Sequence, residues 1–162
     1  MSDFRAKRIT HEYVQTNSAS PERVFPLLCP VREADWVPGW QYRLIHSESG
    51  FAEPGCVFVT PNPDGTETVW VVTEYDPSEF RIAFVWVDPG VATAHIRICL
   101  EPEGTAQTKA NIHYTYTGLS VAGNTELERY DKNWFRKKMT SWEAAINHYL
   151  RTGRRIEAAE WE

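Results

Sequence analysis

From residue 42 to residue 119 the apolar positions recur at every second residue, in short runs separated by turn-forming clusters. Alternation at that period predicts half-buried β-strands. The runs are YRLIHSES (42–49), CVFVT (56–60), ETVWVVTEY (67–75), FRIAFVWV (80–87), TAHIRICLE (93–101) and QTKANIHYTYTGL (107–119). Between them stand EPG, NPDGT, DPSE, DPG and PEG, combinations of Pro, Gly, Asp and Asn that close tight turns. Connections this short join antiparallel neighbours, so the six runs predict a meander. A further strand, RITHEYVQT (8–16), precedes it. In the NSASPERVF stretch that follows, Ser20 suits a helix cap and Pro21 the first helical position. Pro26 and Pro30 prevent a long helix, leaving two short helical pieces, PERVFPLL and PVREAD.

After residue 125 the period changes. Leu127, Tyr130, Trp134, Met139, Trp142, Ile146, Tyr149 and Leu150 are separated mostly by three or four positions, which predicts an amphipathic helix over 125–151. Thr125 with Glu128 forms a capping box, and Gly153 supplies a stop. Such a helix is roughly 40 Å long at about 1.5 Å per residue. Its aromatic stripe must lie along something wide, and the sheet is the one candidate. The order predicts an α+β fold: a curved antiparallel sheet of about seven strands, two short helices after the first strand, and a long C-terminal helix. One domain over 1–162 accommodates it, with the tail 154–162 peripheral. A single helix is about 10–12 Å across and too narrow to cover the inner face of such a sheet. Either large side chains fill the remainder or it stays a cavity.

The phrases SPERVFPLLCPVREADWVPGW, SGFAEPGCVFVT, ETVWVV, YTYTGLSVAGN and MTSWEAAINHYLRTG, in this order, resemble the START-like superfamily, also called SRPBCC. That superfamily includes polyketide cyclases, lipid-transfer proteins and relatives of plant pollen allergens, and the resemblance runs from about Ile9 to Gly153. It implies a helix-grip fold with a cavity between sheet and long helix, gated near the short helices and the strand-joining loops. On that picture WVPGW (36–40) lies close to the entrance. Function does not follow from the scaffold, which serves many apolar molecules and several chemistries.

Composition narrows the field. Of 162 residues, 42% are hydrophobic and 13% aromatic, enough to build a large interior or to line a roomy one. The net charge of −5, with no basic face, lacks the phosphate-neutralising term of nucleic-acid binding. No apolar run has the length of an integral membrane segment or a signal peptide. Cys29, Cys56 and Cys99 are widely spaced and fit reduced thiols in a cytoplasm. His11, His46, His95, His113 and His148 show no metal-ligand spacing. There is no nucleophile elbow, Gly-rich phosphate loop or dinucleotide fingerprint, so neither metal nor cofactor is expected.

The candidate site residues are aromatic. Within FRIAFVWV, Phe80, Ile82, Phe84 and Trp86 share one strand face, and our preferred orientation turns this bulky set inward. The same orientation places Phe58, Trp70, Tyr114 and Tyr116 toward the interior, with Trp36 and Trp40 at its mouth and Met139 and Trp142 on the helix above it. Filling a core and lining a cavity both remain open for these rings. The polar alternates His95, Arg97, His113, Thr115 and Thr117 read as a solvated face. Glu33, Asp35, Glu53, Glu74, Tyr75 and Tyr114 are possible acid–base groups, although READ (32–35) reads best as a solvated helix face. Three functions fit: binding of a small hydrophobic, aromatic or polycyclic molecule, a polyketide cyclase or dehydratase acting by acid–base chemistry in the same cavity, and a protein-interaction module. Ligand identity and oligomeric state are not encoded in any of these patterns.

Overall fold

The computed structural model describes residues 3–157. Seven strands form one antiparallel sheet in the order β1-β7-β6-β5-β4-β3-β2. They are β1 (Arg8–Asn17), β2 (Arg43–His46), β3 (Val57–Pro61), β4 (Glu67–Asp76), β5 (Arg81–Asp88), β6 (Ala92–Pro102) and β7 (Thr108–Gly118). Turn chemistry explains the meander, because each short Pro/Gly/Asp connection returns the chain beside the strand it just left. Strand β1 alone pairs at a distance, closing against β7 with Tyr13 opposite Ile112.

Register aligns the inward residues into rows. One row reads Tyr13, Ile112, Ile98, Ile82 and Tyr75, and the next His11, Tyr114, Ile96, Phe84 and Val72. A third reads Ile9, Tyr116, Ala94, Trp86, Trp70, Phe58 and Leu44. The bulky set of β5 therefore does point inward. His95, Arg97, His113, Thr115 and Thr117 occupy the opposite face, exposed or half-buried.

Between β1 and β2 the chain makes α1 (Pro21–Val24), a 3-10 turn (Phe25–Leu28) and α2 (Pro30–Glu33), each beginning at or beside a proline. Val24, Phe25, Leu27 and Leu28 are buried against one end of the sheet. Phe25 stacks on Tyr75 there, with ring centroids 5.3 Å apart.

The C-terminal helical region departs from the single helix expected over 125–151. It is divided into α3 (Val121–Leu127) and α4 (Lys132–Thr152). Ser120 caps α3, its Oγ accepting from the Gly123 amide at 2.9 Å. Asp131 caps α4, its carboxylate accepting from the Trp134 amide at 2.8 Å. Thr125 thus lies inside α3, and Leu127 and Tyr130 belong to α3 and the link rather than to the long helix. Gly153 does end α4, in a left-handed conformation with its amide bonded to the Tyr149 carbonyl at 2.7 Å. Helix α4 lies along β1 at the sheet edge. Glu143 accepts from the Tyr13 hydroxyl at 2.9 Å and from the Thr16 amide at 2.8 Å, while Asn147 accepts from the Ser18 amide at 3.0 Å. This is the helix-grip arrangement, with the helix fastened to one margin of the curved sheet.

Candidate functional site

Strands β3, β4, β5 and β7 supply a floor of contacting aromatic rings. Trp70 stacks on Phe58 at 5.4 Å, meets Phe84 edge-on at 6.2 Å and tilts against Trp86 at 6.4 Å. Trp86 meets Tyr116 edge-on at 6.1 Å, and Tyr116 stacks on Tyr114 at 5.6 Å. The Trp70 indole donates to the Thr60 hydroxyl at 3.0 Å, which fixes the ring's tilt. The opposite wall comes from α4. Phe135 and Met139 are buried toward the sheet, whereas Trp134 and Trp142 are half-buried.

Lys138 extends from α4 into the interior, with its Nζ 5.1 Å from the Tyr114 ring centroid and 5.3 Å from that of Trp134. The Nζ lies over the inward-facing Tyr114 ring, yet the residue as a whole is exposed, so water reaches it. Glu33 and Tyr114 are half-buried, and burial is the main influence on the titration of both. The three groups act on one another electrostatically where β7, α2 and α4 converge, the region termed the chamber.

Electrostatics in the chamber follow from its enclosure. Burial pulls the Lys138 ammonium down to about 8, against the attraction of Glu33, which raises it. Burial pushes the Glu33 carboxyl well above the usual carboxylate range, opposed by Lys138. The Tyr114 phenol is raised by burial first and by the Glu33 charge second. Among the described residues, no ion pair within 4.0 Å and no hydrogen bond joins Lys138 to any group.

The reading of READ as a solvated face is corrected here. Arg32 and Asp35 do form an exposed pair at 2.8 Å, but Glu33 turns inward. Its direction follows from Trp36, three positions on, whose ring is fully buried. The other acid–base candidates lie elsewhere. Asp35 stays with Arg32, Glu74 pairs with Arg81 at 3.1 Å on the surface, and Glu53 accepts from Ser47 and Ser49 in an exposed loop. Tyr75 packs on Phe25.

The aromatic candidates fall into two groups. Trp40, Trp70, Tyr114 and Trp142 keep accessible surface, and Phe84 and Trp86 keep a little. Trp36, Phe58, Tyr116 and Met139 are buried to 1% exposure or less and support the wall from behind. Trp36 donates to the Leu27 carbonyl at 2.9 Å and meets Trp142 edge-on at 5.0 Å. Trp40 donates to the Pro30 carbonyl at 2.8 Å. Both indoles of WVPGW therefore pin that loop to the short helical pieces, and Gly39 takes the positive φ its turn requires.

The sequence names Glu33 among the possible acid–base groups but favours a solvated face for it, and its patterning misses Lys138 and the cluster at the far end of α4. There His11 Nε2 lies 2.7 Å from the Tyr130 carbonyl and its ring stacks on Phe135 at 4.9 Å. Tyr130 stacks on Trp134 at 4.2 Å. Tyr130 also reaches a cleft of about 830 Å³ between the 62–67 turn, the 88–92 turn and α3. A signal for Lys138 did exist, since it stands four residues from both Trp134 and Trp142 and so shares their helix face. No group of three or more His, Cys, Asp or Glu side chains able to hold a metal occurs among the described residues.

No family model matches the chain, and no curated protein matches it in sequence. Solved structures match it in shape. A truncated norcoclaurine synthase from Thalictrum flavum superposes with a TM-score of 0.67 at 13% identity, covering 94% of this chain and 98% of that one. An uncharacterized protein from Rhizobium leguminosarum gives 0.63 at 16% identity, with 91% and 97% covered. DynU16, a protein in the dynemicin biosynthetic locus, gives 0.58 at 18% identity, covering 90% of this chain and 48% of that one. The likeness is one of fold, and it is the SRPBCC fold that the sequence phrases resemble.

Proposed function

We propose that the protein binds a small, mostly apolar molecule of aromatic or polycyclic character in the chamber between the sheet and α4. The observation that supports this reading above others is that the half-buried rings of Trp70, Tyr114 and Trp142 and the Lys138 side chain lie between the sheet and α4. A hollow interior lined by stacked rings gains from burying a guest of like character, at about 25 cal/mol per Å² of apolar area. Trp40, Trp70, Phe84, Trp86, Tyr114 and Trp142 form the contact surface, with Trp36, Phe58, Tyr116 and Met139 holding them in place. No helix among the described residues is long and apolar enough to cross a membrane. Three free thiols suit a cytoplasmic setting.

Uptake of Nile red, an uncharged dye that brightens in apolar surroundings, tests this reading. The parent protein takes up the dye, and Trp70→Ala or Trp86→Ala weakens uptake severalfold while circular dichroism stays unchanged. No uptake by the parent overturns the reading, and unchanged uptake in both variants overturns the assigned lining.

A second reading, a cyclase or dehydratase, is favoured by one observation: a carboxyl and a phenol of raised pKa stand in the same chamber. A protonated Glu33 can supply a proton to a carbonyl oxygen during enolisation. Turnover of a polyketone that vanishes in Glu33→Gln, with Nile red uptake intact, distinguishes catalysis from binding alone.

A further inference from the structure

The chamber holds one cation without a partner. Lys138 Nζ faces the rings of Tyr114 and Trp134 at 5.1 and 5.3 Å, and among the described residues no acceptor completes its three donors. Lys138 is exposed, so water solvates its ammonium in the empty protein, and a guest that displaces this water must supply counter-charge in its place. The faces of the Tyr114 and Trp134 rings supply part of it through their electron-rich π-systems. Glu33 is the one carboxyl whose charge acts on Lys138, and it stands beyond ion-pair reach. The gap between amine and carboxyl is therefore bounded by a donor on α4, a second titratable group on α2 and an aromatic floor on β7.

From this geometry we infer that the ligand carries a single carboxylate, seated between Lys138 and Glu33 with its apolar body on the Trp70 and Tyr114 side of the chamber. The inference rests on the binding role proposed above and names the class of molecule that fills it. One carboxylate oxygen accepts from Lys138, and the other accepts from Glu33 in its protonated form. The resulting set of ammonium, ligand carboxylate and neutral Glu33 carries no net charge, which a low-dielectric interior requires. A cationic ligand meets the Lys138 ammonium directly, and an uncharged one displaces its water without supplying a charge.

Calorimetric titration with naphthoate and with its uncharged isostere naphthamide tests the assignment on the full chain. A charge-assisted contact of about 1.5–3 kcal/mol corresponds to roughly ten-fold or more in affinity. The parent protein is expected to bind naphthoate at least about ten-fold tighter than naphthamide. Lys138→Met is expected to bind the two equally, at the parent's naphthamide affinity, and Lys138→Arg to keep part of the preference. Equal affinities in the parent, or a preference that survives in Lys138→Met, overturn the inference. Nile red uptake separates the two levels of the argument. Uptake without discrimination between acid and amide removes the carboxylate assignment alone, and absence of all three probes removes the chamber as a binding site as well.

Discussion

Single side chains in this protein divide sharply by whether their polar atoms are answered. Tyr116 is completely buried, and its hydroxyl has no partner. A buried hydroxyl without a hydrogen bond contributes a desolvation cost and no compensating gain. Tyr116→Phe is therefore expected to leave stability unchanged or raise it by up to about 1 kcal/mol, read from chemical denaturation midpoints. A loss larger than that would mean the hydroxyl is bonded after all. Glu33 gives a pH-dependent counterpart. Its folded pKa lies above the unfolded 4.5, because burial outweighs the attraction of Lys138 on α4, while Tyr114 on β7 faces it as a neutral phenol. Above pH 4.5 the unfolded chain releases this proton before the folded one does, so the group makes stability fall as pH rises. Glu33→Gln cannot titrate. Its melting temperature should match the parent's near pH 4 and exceed it progressively toward pH 7, by about 2–4 °C for each kcal/mol recovered. A constant offset across that range would refute the assigned direction.

At the level of elements, most of the architecture is legible in the sequence, and the exception has a physical cause. Each strand run coincides with an observed strand to within a few residues, since alternation and Pro/Gly turns act locally and agree with the sheet. The C-terminal helix was read too long because Leu127, Tyr130 and Trp134 continue one apolar period across a break. Capping wins there over periodicity. The Asp131 carboxylate satisfies the Trp134 amide and starts a new helix, and the 129–131 link redirects the chain from the α3 site to the sheet edge. Asp131→Ala should then cost about 1 kcal/mol, whereas Asp131→Asn, an equally good cap, should cost almost nothing. Equal losses in both variants would place the effect in charge rather than in capping. Gly123 makes the same argument from packing. A Cβ at that position would collide with the backbone carbonyl of Val91, so α3 docks on the β5–β6 turn only through a glycine.

For the whole molecule, the proposed chamber between sheet and helix links fold, stability and function. The aromatic floor was legible from strand alternation, because side chains two residues apart must share a face. The polar pair was not, because neither Glu33 nor Lys138 differs locally from the charged neighbours Arg32, Asp35, Arg136 and Lys137. Only the docking of α2 and α4 turns these two inward, and docking depends on contacts distant in sequence. An unfilled interior leaves inward side chains without packing partners on one side, a loss that a guest can restore. Binding to the folded state alone stabilises it by about 2.7 kcal/mol when ligand is present at about 100 times its Kd. Naphthoate at that excess is thus expected to raise the melting temperature of the parent by about 5–10 °C, using about 2–4 °C per kcal/mol for a chain of this size. The same hollow should make the empty protein sensitive to pressure, since unfolding eliminates internal void volume. Saturating naphthoate should then shift the pressure midpoint upward in the parent and much less in Trp70→Ala, whose floor has lost the ring that contacts Phe58, Phe84 and Trp86. Identical pressure midpoints with and without ligand, at concentrations where calorimetry reports saturation, would place the bound molecule on the surface rather than inside the sheet.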